Sequence, residues 1–258
     1  MLLLDFQIRV RDLLRRRLLK KSADHGSPDE QFFFIHIHKT AGTSFRYMLY
    51  KQFEQTEIFP NLTDIHEFGG RYPRYPELLQ ADPSIFSRIR LLTGHYPFEV
   101  VKFFPRRPRC LVFLRDPLKR ALSNLYHLRR YAYPAGTDMT AILPRAKNGI
   151  FNVQTRFFAV PYHREPLSRA DLEVAKGNLA QCDFIGLREE FEVSVRLAER
   201  MFDWRLGKTF ELNVTRLDEP ALDNGLLAQL ELGNAFDFEF YEHGKALFRE
   251  LKRRYGMA

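Results

Sequence analysis

Cysteine is scarce in this chain: Cys110 and Cys182 are the only two. Neither stands in a metal-binding spacing, and no disulfide framework can be drawn from them. The chain is therefore expected to be independent of oxidation, with both thiols serving as small buried side chains. Long uncharged runs are missing as well. The first 21 residues, MLLLDFQIRVRDLLRRRLLKK, are apolar but broken by Asp5, Arg9, Arg11 and Asp12. A membrane-spanning helix needs about 20 consecutive apolar residues, so neither a spanning nor a secretory segment is read here. No internal repeat and no low-complexity tract is visible. The Walker pattern GxxxxGK[ST] is also absent, which removes support from ordinary nucleoside-triphosphate hydrolysis.

Aromatic and apolar residues are plentiful. With 45% hydrophobic residues, 14% aromatic and 24 Phe, the chain has ample material for one core and is not expected to be disordered. Its length suits a single α/β domain with decorations. The net charge of +8 favours polyanions: nucleic acid, an anionic membrane surface, an acidic polysaccharide or a multiply charged cofactor. Charge alone does not choose among them, and a solvated Arg-rich surface would give the same balance.

Leu3, Phe6, Val10 and Leu13 fall on one helical face at the N-terminus. Such a helix packs on the domain or a partner, the favoured reading, or lies on a membrane surface. A polar linker follows, so residues 1–30 form a basic amphipathic extension and 31–258 the domain. Apolar runs predict strands over 32–37, 89–93, 111–114, 184–187 and 210–214. Helical patterns lie between and after them, at about 117–131, 152–159, 168–180, 189–202, 220–232 and 236–254. A short helix is expected over 97–104. Residues 54–88, rich in Pro and Gly, and 133–148 read as loops, the first as a functional lid. Alternation of strand and helix predicts an α/β fold with a central, mostly parallel sheet flanked by helices.

Two segments carry chemistry. In the first, a buried strand runs into His36-Ile37-His38-Lys39-Thr40-Ala41-Gly42-Thr43-Ser44-Phe45. In the second, a strand ends at Arg115 and Asp116 caps a helix opening with Pro117. Lys119 and Ser123 share one face of that helix, continued by His127 and Arg130. A helix start offers unpaired N–H groups to an anion, and Arg offers a planar fork matched to phosphate oxygens. Two such units imply a ligand with more than one phosphate-like group.

The segment His38 to Phe45 resembles the 5′-phosphosulfate signature of sulfotransferases that act on glycans, written PKTAST or PKTGGT. Arg115-Asp116-Pro117-Leu118-Lys119-Arg120-Ala121-Leu122-Ser123-Asn124-Leu125-Tyr126 resembles their 3′-phosphate signature, RDPxxRxxSxY. Order and spacing agree, and weaker echoes include Thr93-Gly94-His95 and Gln154-Thr155-Arg156-Phe157-Phe158. The likeness is read as nearest to heparan sulfate 2-O- and uronyl 2-O-sulfotransferases. It implies a P-loop-like sulfotransferase fold and the cofactor 3′-phosphoadenosine 5′-phosphosulfate (PAPS; product PAP). Lys39, Thr40, Ala41, Gly42, Thr43 and Ser44 would hold its 5′ end, and Arg115 and Ser123 its 3′-phosphate. Residues near Asn213 and Thr215 would touch the nucleotide. His95 would be the catalytic base, and Lys39 would stabilise charge on the leaving oxygen. No metal is implied. The acceptor would be a hydroxyl of a glycan or glycoconjugate, and the basic charge would suit an acidic one.

Three positions depart from the family pattern. His38 replaces the usual Pro, His36 replaces an Arg, and Thr93 replaces the first His of a His-Gly-His segment. These changes bear on acceptor preference more than on cofactor use. His36 and His38 also share a strand side, and with His95 they form a minor alternative, a three-histidine metal site. Two other function classes compete: a phosphate-transfer enzyme, opposed by the missing Walker pattern, and a non-enzymatic polyanion-binding module, for which no nucleic-acid motif is visible. Family members in animals are lumenal and membrane-anchored. Lacking a visible anchor and poor in cysteine, this chain is expected in the cytoplasm, peripheral to a membrane if residues 1–21 contact one.

Overall fold

The strand β1 (Phe32–Ile35) is apolar and buried at each of its four positions. A strand of that composition must be covered on both faces and paired on both edges. The computed structural model, which describes residues 30–134, 136–162, 166–207 and 223–257, meets both demands. After β1 come α1 (Gly42–Leu49), β2 (Ile58–Phe59), α2 (Leu62–Glu67), α3 (Tyr75–Gln80), α4 (Ile85–Arg88) and β3 (Leu91–Gly94). A 3₁₀ segment at Phe98–Phe103 precedes β4 (Arg109–Leu114), α5 (Pro117–Tyr131), α6 (Met139–Ile150), α7 (Val153–Phe158) and α8 (Arg169–Ala180). Then follow β5 (Phe184–Leu187), α9 (Phe191–Phe202), α10 (Asn224–Gly233) and α11 (Ala235–Arg254).

The sheet order is β2-β3-β1-β4-β5, and every pairing is parallel. This is the α/β arrangement expected of a P-loop-like fold. β1 lies at the centre, with β3 on one side and β4 on the other. The chain leaves β1 toward β2 and β3, then crosses to β4 and β5. Such a reversal opens a crevice beyond the carboxyl ends of the central strands.

Aromatic packing covers one face: Phe45 of α1 lies 5.2 Å from Phe34, 4.8 Å from Phe113 and 5.6 Å from Phe184. Phe191 of α9 adds to it, 5.3 Å from Phe113. On the other face Phe33 meets Phe104. There Leu114 occupies the space that a Cβ on Gly244 of α11 would fill. A second, smaller cluster joins α5, α6 and α10 through Ala121, Leu125, Ile142, Leu143 and Leu230.

Several expectations are corrected. The segment 54–88 is not irregular: it holds β2 and three short helices, one of them capped by Asn61 accepting from the Thr63 and Asp64 amides. Residues 139–148 are helical as part of α6, whose N-cap Asp138 accepts from the Thr140 amide. α1 runs from Gly42 to Leu49. The expected strand over 210–214, Asn213, Thr215, residues 1–21 and most of the linker lie outside the described residues. Cys110 and Cys182 are buried free thiols, and burial pushes the Cys110 thiol up to about 12. Among the described residues no helix is long and apolar enough to cross a membrane.

Candidate active site

Three adjacent strands, β3, β1 and β4, end on the same side of the sheet, and the candidate residues leave from those ends. His36 N–H donates to the Gly94 carbonyl at 3.0 Å, carrying the β1–β3 pairing one residue further. The chain then turns sharply. Lys39 and Ala41 adopt the left-handed region, at φ 68° and 70°, a conformation that disfavours side chains and marks a constrained turn. The Thr40 hydroxyl donates to the Ile37 carbonyl at 3.0 Å, closing the turn from inside. Thr40 is thus buried, its hydroxyl engaged by the turn itself. Ser44 is buried as well, while Ala41 and Thr43 are partly exposed.

Gly42 follows at the first position of α1. A Cβ there would lie 2.0 Å from Cδ2 of His36, so the imidazole fills the space that a side chain would need. Gly42 and His36 are a matched pair. Ala41 is the N-cap residue; no side chain caps α1 among the described residues, and its first turn carries no acid. The leading N–H groups of a helix have no intrahelical acceptor. Here the Ser44 N–H is taken by the Ala41 carbonyl at 3.1 Å, while the Gly42 and Thr43 N–H groups meet no acceptor among the described residues and face the way an anion would approach.

The second turn is built differently. The Asp116 carboxylate accepts from the Lys119 amide at 2.9 Å, so α5 is already capped by its own chain. Anion binding at this unit would therefore rest on side chains. Arg115 is the central one. Its Nη1 donates to the Lys39 carbonyl at 3.0 Å, joining the second turn to the first. Its buried Nε has no hydrogen-bond partner among the described residues. Ser123 lies partly exposed two turns along α5, and Lys119 and His127 are exposed on the same face. His127 is lowered by burial and by the charge on Lys39, which places this face beside the first turn.

Lys39 and Arg115 crowd one another. Burial and the Arg115 charge bring the Lys39 amine down from 10.5 to about 8. Among the described residues neither cation has a carboxylate within ion-pair distance. Two partly buried cations without a counter-ion make a site suited to an anion.

His95 follows β3. Its Nδ1 lies 2.6 Å from the His36 carbonyl oxygen. A carbonyl carries no proton, so Nδ1–H donates, and in the neutral ring Nε2 holds the free lone pair. Burial, opposed by that hydrogen bond and reinforced by Arg46 and Lys39, lowers the imidazole from 6.5 to about 4. His38 stacks on His95 with ring centroids 3.5 Å apart, and His36 lies 4.5 Å away. His38 is exposed to solvent yet enclosed closely enough by protein for desolvation to lower its pKa, as befits the wall of a cleft. The His38 and His95 rings are stacked, and the His36 ring is tilted by 39° against His95. Among the described residues no group of three or more His, Cys, Asp or Glu side chains could hold a metal ion.

The sequence reading missed the supports of the second turn. Gln154 of α7 accepts from the Arg115 amide at 3.0 Å and donates to the Arg115 carbonyl at 2.8 Å. Glu189 accepts from the Asp116 amide at 3.1 Å and from the Tyr241 hydroxyl at 2.8 Å. Arg120 is wholly buried, donates to the Gly149 and Ile150 carbonyls, and stands 4.0 Å from Asp237. A polar Gln154 among Val153, Phe157 and Phe158 was the visible signal; Asp237 gave none.

No family model matches the chain. It is similar to heparan-sulfate 6-O-sulfotransferase 3 of Mus musculus, 23% identical over 276 residues, covering 84% of this chain and 57% of that protein. Heparan-sulfate 6-O-sulfotransferase 1-B of Danio rerio is 25% identical over 282 residues, covering 86% of this chain and 67% of the relative. Heparan-sulfate 6-O-sulfotransferase 1 of Homo sapiens is 25% identical over 295 residues, with 88% and 69% covered. The chain thus spans little more than half the length of the first of these relatives. The likeness is to glycan sulfotransferases as a class, and these relatives are 6-O enzymes where a nearest likeness to 2-O enzymes was expected. It also corrects the cytoplasmic expectation: heparan-sulfate sulfotransferases act in the Golgi lumen, so scarce cysteine and a missing apolar run do not indicate the cytoplasm.

Proposed function

We propose that this protein is a sulfotransferase that moves a sulfuryl group from PAPS to a hydroxyl of a glycan. The observation that carries the reading is the contact between the two turns, Arg115 Nη1 to the Lys39 carbonyl. It sets two anion-binding units side by side, as a nucleotide charged at both its 5′ and 3′ ends would require. Arg115 Nε and Lys39, both without a partner among the described residues, fit such a ligand. Lys39 and the leading amides of α1 would hold the 5′ end, and Arg115 with Ser123 the 3′-phosphate. The similarity to heparan-sulfate sulfotransferases supports both the donor class and a glycan acceptor. Their printed specificity makes a 6-hydroxyl the first acceptor position to test.

PAPS supplies a sulfuryl group already activated on a phosphate leaving group. His95 Nε2 takes the proton that the acceptor hydroxyl gives up. A positioned base contributes about 10²–10⁴ in rate. The His36 carbonyl fixes the ring orientation and tautomer. With its pKa near 4, His95 is unprotonated at neutral pH and ready to accept. Lys39 places positive charge where the leaving oxygen gains negative charge. A bound anion offsets the field of Lys39, which raises the basicity of His95 when the donor site is filled.

Isothermal titration with PAP, using ADP as the control that lacks the 3′-phosphate, tests the reading. PAP is expected to bind more tightly than ADP, and Arg115→Ala to weaken PAP by about tenfold or more, as for loss of a charged hydrogen bond. Equal binding of the two nucleotides to the intact protein would sink the proposal. Transfer of radiolabelled sulfate from PAPS to desulfated heparan sulfate then tests the acceptor class.

A further inference from the structure

Arg115 leaves the end of β4 as part of an irregular turn, where no strand partner fixes its backbone. The side chain of Gln154 fixes it instead. The amide group faces the Arg115 peptide as a neighbouring strand would, accepting from N–H at 3.0 Å and donating to C=O at 2.8 Å. Gln154 is wholly buried, so neither bond is exchanged with water. Two bonds to one residue fix both the position and the direction of the peptide from which the guanidinium springs.

Gln154 is itself held. Asp237, wholly buried in the first turn of α11, accepts from the Gln154 amide at 3.1 Å and from the Thr155 amide at 2.7 Å. It also accepts from the Thr155 hydroxyl at 2.8 Å. Asn152 and Asn234 brace the same junction from both sides. Asn234 Oδ1 accepts from the Asn152 amide, and Asn152 Oδ1 accepts from the Phe236 and Asp237 amides. The α7–α11 corner is therefore rigid, and Gln154 is its outlet toward Arg115.

We infer that Gln154 is a positioning residue for recognition of the 3′-phosphate: its paired bonds aim Arg115 at that group, acting through the Arg115 backbone without touching the nucleotide. The inference rests on the proposed PAPS reading. A role confined to fold stability would weaken every ligand alike, whereas loss of aim would weaken only the ligand that carries a 3′-phosphate.

The test compares PAP and ADP binding by titration in the full chain and in Gln154→Met, which keeps the volume and removes both bonds. PAP affinity is expected to fall by about tenfold, the scale of two lost neutral hydrogen bonds, with ADP affinity unchanged within about twofold and the far-ultraviolet spectrum intact. Gln154→Leu is the second variant, kept in case the first does not fold. It too removes both bonds, so the PAP-to-ADP preference should again drop. A preference retained in a folded variant, or equal weakening of both nucleotides, overturns the inference while leaving the PAPS reading standing. Absence of any PAP preference in the unaltered protein overturns both.

Discussion

The two turns of the site share a strand–turn–helix plan and differ in what holds them. The first is held locally. Its left-handed residues Lys39 and Ala41, the Thr40 hydroxyl on the Ile37 carbonyl and the fit of His36 against Gly42 all fall within seven consecutive residues. The second is held from a distance. Gln154, Glu189 and Asp237 come from three later elements, and buried Arg120 stands beside Asp237. The division extends to charge. Among the described residues no side chain caps α1 and the Gly42 and Thr43 amides are open, while Asp116 caps α5 and leaves the second turn to its side chains. One unit is a backbone device, and the other a side-chain device mounted on a frame.

The largest separation of chemistry from binding is expected from His95→Ala. Transfer should fall by at least about 10²-fold, while PAP and ADP affinities stay within about twofold of the parent. A variant that turns over normally would remove His95 as the base. Next comes Gly42→Ala, which breaks the first turn from within. The added Cβ collides with the His36 ring, an overpacking that costs about 1–3 kcal/mol. Chemical denaturation should show the lower midpoint, and PAP and ADP should weaken together because both use the 5′ half. Loss of PAP alone in this variant would erase the contrast with Gln154→Met.

The smallest effect concerns pH. His36, His38 and His95 all sit below their ordinary value of 6.5, first through burial. Between about 6.5 and 4 the unfolded chain therefore binds protons that the folded chain does not. Stability is full above that window and falls as pH drops through it. His38, being exposed, contributes least. Thermal unfolding at pH 7, 6 and 5 should show the midpoint declining toward acid and flat above neutrality, and His36→Asn should make the decline shallower. A midpoint that rises on acidification would contradict the burial of these rings.

The sheet was legible because its strands are nearly continuous apolar runs: Phe184–Leu187 is placed to the residue, and β1 within two residues of its end. β2 was not, since two residues at an edge leave no periodicity. α6 was hidden by Pro144 and Gly149 within it. At the site, the residues of the first turn could be named because one stretch of sequence contains the whole device. For the second, Arg115 was visible and its supports were not. Asp237 reads as an ordinary acid near a helix start, and nothing local reveals that it faces inward to Arg120 and α7. Contacts between residues 82 or 83 positions apart leave no trace in a local pattern.

That distance bears on the order in which the protein becomes competent. Both signature segments are complete once residue 126 has been made, yet the frame of the second depends on Asp237, in the first turn of α11. A chain emerging from the ribosome would carry the first turn as a local structure while Arg115 still lacked its bracing. Closing that corner is a long-range, late event. Recognition of the two ends of a nucleotide would thus mature in the same order as their motifs are written, with the second waiting on α11.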